Sequence, residues 1–388
     1  MRIVSFLTLA VSFCFASVVF AASPGISEKE ILIGTSQVLD GPASFLGIQT
    51  NHGMNALISS VNDKGGINGR KIRVIAYNDK YEPVPCAMNT KKLIETDKVF
   101  ALTSYIGTPT SVKSQPIWTA AKVPVVGFFT GASALRNPFN RYNIHIRGSY
   151  EQEAAAIVDV FVNKLNFRKI AVFYQNDSFG EAVKKAAETA MAKHGMAPVA
   201  YGNYQRNTLN TAEGLKAIAG SNPDAVIMVG TYAPLAKFVK EAKAAGMAKT
   251  VFHTVSFVGP EAFAKELGDK SERCVITQVV PPYEGSSLPI IAEYKDNLKK
   301  YYPDDAPNFV SLEGYLNAKI LAEGIKRAGK NLSRESFIDA IESIKHGQLG
   351  TGLSFSYGPS DHEGIGKIYL TEISGGKLFE VNDWAKFR

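Results

Sequence analysis

Along the chain, short runs of apolar and β-branched residues alternate with longer stretches whose apolar positions recur at helical spacing. Runs at 31–36, 71–78, 99–106 and 123–129 predict strands, and 51–64, 85–97 and 109–121 predict the helices between them. Gly65-Gly66 closes the first of these helices, and Pro85 stands in the first turn of the second. The alternation continues beyond residue 150. Helices are predicted at 151–166, 179–194, 212–219 and 233–245, and strands at 169–174, 199–204, 225–229, 251–255 and 274–279. Residues 290–302, 310–328 and 334–344 read as helices, and the chain from Thr351 as strands with Gly-rich turns.

Two successive runs of this βαβ pattern, 26–145 and 168–255, predict an α/β fold of two doubly wound lobes, each a parallel sheet covered by helices. The segment 137–150 has an Asn-Pro turn and no helical period, so it reads as a crossover between lobes. Pro281-Pro282-Tyr283-Glu284-Gly285 reads as a second crossover.

Length agrees with two lobes, since 388 residues suit two domains of about 150–200 residues each. The first segment stands apart. Met1-Arg2 precedes an apolar run from Ile3 to Phe20, and Val19-Phe20-Ala21 offers small residues where a signal peptidase reads. Residues 1–22 are therefore expected to be a signal peptide that exports the chain. The net charge of +7 is spread along the chain singly or in pairs, as in Lys91-Lys92, which argues against nucleic-acid binding. Cys86 and Cys274 lie far apart and form no C-x-x-C motif, so two unbridged thiols are expected.

Enzyme signatures are missing. Gly131-Ala132-Ser133-Ala134-Leu135 fails the nucleophile elbow at its last position, and Gly366-Lys367-Ile368 fails the phosphate-loop pattern. Asp361-His362-Glu363 places three possible metal ligands in a row, but consecutive side chains do not converge on one ion, so the segment reads as a turn. No metal and no cofactor are expected.

In doubly wound sheets, ligands bind beyond the carboxyl ends of the strands. In Tyr105-Ile106-Gly107-Thr108-Pro109-Thr110, Thr108 suits an N-cap, and the N–H groups of Thr110 and Ser111 would then face a carboxylate. Phe128-Phe129-Thr130-Gly131-Ala132 sets aromatics beside a hydroxyl, as suits a pocket for a polar head and an apolar body. The turns at Asn176–Gly180, Gly230–Pro234 and Val255–Gly259 have the same character.

On these residues the chain resembles the periplasmic solute-binding proteins of branched-chain amino-acid ABC transporters. The matching segments are Ile31-Leu32-Ile33-Gly34-Thr35, Asp40-Gly41-Pro42-Ala43, Asn62-Asp63-Lys64-Gly65-Gly66-Ile67-Asn68-Gly69, Tyr77-Asn78-Asp79 and Tyr174-Gln175-Asn176-Asp177-Ser178-Phe179-Gly180. The resemblance implies the type I periplasmic-binding-protein fold, with three hinge crossovers and a cleft that closes on ligand. Lobe one would hold 23–147 and 280–353, and lobe two 148–279 and 354–388. The ligand carboxylate would sit at Gly107, Thr108 and Thr130. Side-chain contacts with the ligand would come from Phe45, Leu46 and Tyr105 in lobe one, and from Phe179 and Tyr232 in lobe two. Phe129 and Gly131 beside Thr130, Tyr150 at the end of the first crossover, and Phe257 complete the expected set.

The chain departs from the family at one place. Amino-acid binders carry an acid after the strand matching 251–255, where it pairs with the ligand ammonium; here Val255-Ser256-Phe257 offers none before Glu261. A buried ammonium without a partner is costly, which opens the site to aromatic or other carboxylates lacking an amino group, with Asp177 or Glu261 as substitute partners for an amino acid. The expected partners are a small carboxylate ligand and the permease and ATPase of an importer, met by a monomer. The rival readings are an exported enzyme using the same cleft and a sensory ligand-binding protein.

Overall fold

The computed structural model describes residues 23–388, so the expected signal peptide lies outside the described residues. Five parallel strands form one sheet: β1 (Glu30–Gln37), β2 (Lys71–Asn78), β3 (Ala101–Ile106), β4 (Val125–Phe129) and β5 (Asn143–Ile144), in the order β2-β1-β3-β4-β5. The helices α1 (Ser44–Asp63), α2 (Pro83–Glu95) and α3 (Thr108–Ala120) connect its first four strands. The strands β3 and β4 are buried at every position, as expected for a sheet covered on both faces.

A second sheet begins after α4 (Tyr150–Asp159). It contains β6 (Ile170–Gln175), β7 (Tyr201–Tyr204), β8 (Ala225–Val229), β9 (Val251–Thr254) and β10 (Cys274–Gln278), interleaved with α5 (Ser178–Ala192), α6 (Ala212–Ala219), α7 (Tyr232–Ala244) and α8 (Pro260–Leu267). Three further helices follow: α9 (Pro289–Tyr301), α10 (Phe309–Ala328) and α11 (Arg334–Glu342). Both α9 and α10 pack on α1, back on the first lobe. Of the last strands, β11 (Tyr369–Ser374) pairs antiparallel with β10 and β12 (Lys377–Glu380) antiparallel with β11, giving the order β12-β11-β10-β9-β8-β6-β7. The chain thus passes between the two sheets three times, after β5, after β10 and after α11.

The contact of α1 with α10 depends on glycine. A Cβ on Gly53 would stand 1.8 Å from the Ser311 carbonyl oxygen, and one on Gly314 would stand 2.2 Å from that of Thr50. The two backbones approach where any side chain would hold them apart.

Several expected boundaries move. The first helix starts at Ser44 rather than residue 51, because Gly47 is tucked against the Val38 carbonyl and the polar stretch Gln49–Asn51 faces the neighbouring sheet and α10. The helix expected at 151–166 is α4 followed by a wider-wound turn, Val160–Lys164. Helix α8 and the short β5 were not expected. Residues 351–368 are largely irregular, and only β11 and β12 realise the expected terminal strands. Cys86 and Cys274 are free, buried thiols. The side chains of 361–363 go separate ways: Asp361 accepts from the Glu363 N–H, His362 meets Glu342, and Glu363 pairs with Arg136.

Candidate functional site

The carboxyl ends of the two sheets face each other, and the strand-to-helix turns of both meet there. On the first lobe, Gly107 has φ +95° and caps α3, which starts at Thr108, one residue earlier than expected. Thr108 is therefore the first helical residue. The Ser111 N–H is taken by the Gly107 carbonyl at 3.2 Å, so the donors left without helical acceptors are those of Thr108 and Thr110 rather than Thr110 and Ser111. The Thr110 hydroxyl turns back to the Ile106 carbonyl.

Three buried hydroxyls form a chain beside this helix start. Thr108 Oγ1 and Thr130 Oγ1 are 2.6 Å apart, and Thr130 Oγ1 is 3.2 Å from the Tyr150 hydroxyl. The Tyr150 N–H donates to the Gly131 carbonyl at 3.0 Å, which ties the start of α4 to the end of β4. Ser149 caps α4 through a reciprocal pair with Gln152. Burial pushes the Tyr150 phenol up, so it stays protonated. The row spends two of its three protons on itself and keeps the Tyr150 O–H for an anionic oxygen; a second is freed when that oxygen replaces Tyr150 as the acceptor from Thr130.

An aromatic group surrounds the hydroxyls and spans the lobes. Phe257 lies 4.5 Å from Phe179 and 5.5 Å from Phe129, centroid to centroid, and Phe179 lies 5.5 Å from Tyr150. Phe45 of α1 meets Tyr232 of α7 edge-on at 6.1 Å, with Leu46 buried in the same apolar cluster. Eleven of the twelve expected residues thus line the facing ends of the two sheets or the turns between them.

Tyr105 is the exception. Its ring packs against Trp118 at 5.4 Å and its hydroxyl meets Thr90 at 2.9 Å, inside the first lobe behind β3. Ser104 has φ +55° and breaks the strict alternation of β3, so Tyr105 shares a core cluster with Leu102, three residues before it.

Three residues near the hydroxyls were not foreseen. Arg147, in the first crossover, has no exposed side-chain surface. Its guanidinium bonds Ser256, lies 3.3 Å from both Glu153 and Glu313, and stacks over the Phe129 and Tyr150 rings. Burial works against its charge, but the two carboxylates raise its pKa above the ordinary value. Burial pushes Glu313 up to about 7, with Arg147 opposing. The Glu153 carboxylate is saturated: it also accepts from the Ser256 N–H at 2.8 Å, the Ser256 hydroxyl at 3.0 Å and Thr277 at 2.5 Å. A lone Arg between His-Ile and Gly-Ser carries no periodic signal, so no pattern in the sequence marks it.

Of the two acids expected as substitute ammonium partners, Asp177 is fully engaged, whereas Glu261 is engaged through Oε1 and leaves Oε2 buried without a partner. Asp177 caps α5 and pairs with Arg206 at 2.9 Å. Glu261 Oε1 accepts from the Phe309 N–H at 2.8 Å and from the Tyr283 hydroxyl at 3.0 Å.

At the cleft mouth, Arg206 and Asn207 of the second lobe each reach Glu82 of the first at 2.8 Å. This pair is part-exposed, so its worth is small. Arg206→Ala is expected to weaken lobe closure by about 0.2–1 kcal/mol at low salt and by less at high salt. Small-angle scattering of the closed fraction at two ionic strengths reads the difference, and a salt-independent loss would contradict it.

A family model described as periplasmic binding protein matches residues 30–377. Leu/Ile/Val-binding protein homolog 7 of Brucella abortus (strain 2308) is 21% identical over 377 residues, covering 92% of each chain. The crystal structure of a possible leucine/isoleucine/valine-binding protein from Rhodopirellula baltica SH 1 is 34% identical, with TM-score 0.87, covering 95% of this chain and all of that one. A fatty acid ABC transporter substrate-binding protein from Thermomonospora curvata shares the fold at 19% identity, with TM-score 0.83 and 93% of both chains covered. These relatives are binding proteins rather than enzymes.

Proposed function

Starting from a chain that belongs to the periplasmic binding protein family, we propose that it captures a small carboxylate with an apolar body between its lobes and delivers it to the permease and ATPase of an ABC importer. The family implies an extracytoplasmic location, and residues 1–22 would direct the export. Among the described residues no helix is long and apolar enough to cross a membrane. The lobes would be 23–147 with 280–353, and 148–279 with 354–388, acting in a monomer.

The hydroxyl row of Thr108, Thr130 and Tyr150 would receive the carboxylate, and Phe129, Phe179 and Phe257 would hold the body. Gly107 and Gly131 shape the turns that carry the row, and Phe45, Leu46 and Tyr232 close the rim. Ligand bound to both lobes favours the closed arrangement by its extra affinity for that state.

The carrying observation is the guanidinium of Arg147 on Ser256. Where an amino-acid binder needs a free acid, this chain sets an ion cluster, Arg147 with Glu153 and Glu313, whose charges already engage one another. An incoming ammonium would have to compete with Arg147 for the carboxylates of that cluster. The reading therefore favours aromatic or other carboxylates that lack an α-ammonium. A branched-chain amino acid is the second reading, and the names of the relatives support it.

The test is calorimetry on refolded protein with benzoate, phenylacetate, leucine and phenylalanine. The first two are expected to bind, and Thr130→Ala is expected to weaken them roughly tenfold or more, the loss of one charge-assisted hydrogen bond. Binding of leucine alone would establish the second reading. Unchanged affinity in both Thr130→Ala and Tyr232→Ala would overturn the site.

A further inference from the structure

Tyr81 belongs to no pattern read from the sequence, yet it lies completely buried between the lobes. Its ring stands 5.9 Å from Phe257 and its hydroxyl 3.4 Å from Gln175, both on the second lobe. The Gln175 side chain is shared with Tyr204, whose hydroxyl reaches it at 3.1 Å. The Arg206 guanidinium covers the Tyr81 ring at 5.9 Å. On the first lobe, the ring fills the space that a side chain at position 107 would need: a Cβ there would lie 2.3 Å from it. Tyr81 thus sits next to the turn that presents Thr108.

The backbone that delivers this ring is unusual. Lys80 and Tyr81 both have positive φ, +55° and +61°. Bulky side chains adopt that region at a cost. The buried Asp79 carboxylate holds the turn by accepting from the Tyr81 N–H at 2.9 Å and from the Ser36 hydroxyl at 2.7 Å. A strained pair supported by a buried carboxylate is a structure maintained for where it puts a side chain.

We propose that Tyr81 sets the largest ligand body the cleft admits, its ring acting as a fixed stop between the Gly107–Thr108 turn and Phe257. The inference rests on the carboxylate site proposed above and adds the residue that limits ligand size. A compact acid would stop short of the ring, and a longer one would have to displace it and break its contacts with both lobes.

The test measures affinity for benzoate, phenylacetate, 3-phenylpropanoate and 4-phenylbutanoate by calorimetry. Wild-type protein is expected to favour the shorter acids. Tyr81→Gly removes the ring and suits the positive φ. It is expected to shift the preference toward the longer acids by roughly tenfold or more, the discrimination that one methylene makes in an apolar pocket. Tyr81→Phe keeps the ring and should retain the wild-type ranking. Tyr81→Trp should shift it toward the shortest acid, and it carries the test if the Gly variant fails to fold. The same ranking in wild type and the folded Gly or Trp variant would overturn the inference while leaving the site intact. Failure of wild-type protein to bind any of the four would overturn the site reading, and this inference with it.

Discussion

Replacing Arg147 by Met is expected to cost about 3–5 kcal/mol of folding stability near neutral pH. The guanidinium stands between two buried carboxyls, Glu153 and Glu313, and its removal leaves both without a cation. Met fills a similar volume, so the loss isolates the charge. Acid should relieve part of the loss, since protonated carboxyls need no counter-charge. Adding Glu313→Gln should also recover part of it, because residues in one network do not act additively. Urea denaturation of the three proteins at neutral pH measures this. A loss below about 1 kcal/mol would place the ion cluster at the level of an exposed pair.

Glu261→Gln is expected to remove about 3 kcal/mol of pH dependence, the equivalent of the shift of its carboxyl. Burial pushes Glu261 up to about 7 from its ordinary 4.5, against the hydrogen bonds from Phe309 and Tyr283. A carboxyl with a raised folded pKa binds its proton more tightly in the native state. Its contribution therefore favours folding less and less as pH rises from 4.5 to about 7, and the full cost is present above that window. His145 and His253 act the opposite way below pH 6.5, because burial disfavours their charged forms. The readout is therefore the difference between variant and wild type at pH 5 and pH 8. Equal differences at the two values would show that Glu261 titrates normally.

The strands were legible because β-branched runs bounded by turns have few alternatives, and the anchor turns were legible because Gly and Thr there have specific backbone uses. Gly107, Thr108, Phe129, Thr130 and Gly131 were read by that logic, whereas Phe45 and Leu46 came only with the family resemblance. The Tyr105 ring lies elsewhere, because a single positive φ at Ser104 turns it into the first lobe. Arg147 and Tyr81 were hidden for a different reason. Each lies in a segment without period, and each acquires its role only when the two lobes meet. Chemistry made by tertiary contact between irregular segments leaves no spacing to read.

The fit of Gly53 against Ser311 and of Gly314 against Thr50 also bears on the order in which the molecule assembles. The partners lie on α1 and α10, and strands β6 to β10 lie between them in sequence. Those parallel strands can pair through short local crossovers, whereas the first lobe must wait for a distant helix. Closing so long a loop costs only slightly more entropy than closing a short one, but it slows folding. The second lobe should therefore gain protection from hydrogen exchange first during refolding, with the face of α1 beneath α10 among the last surfaces to be sealed.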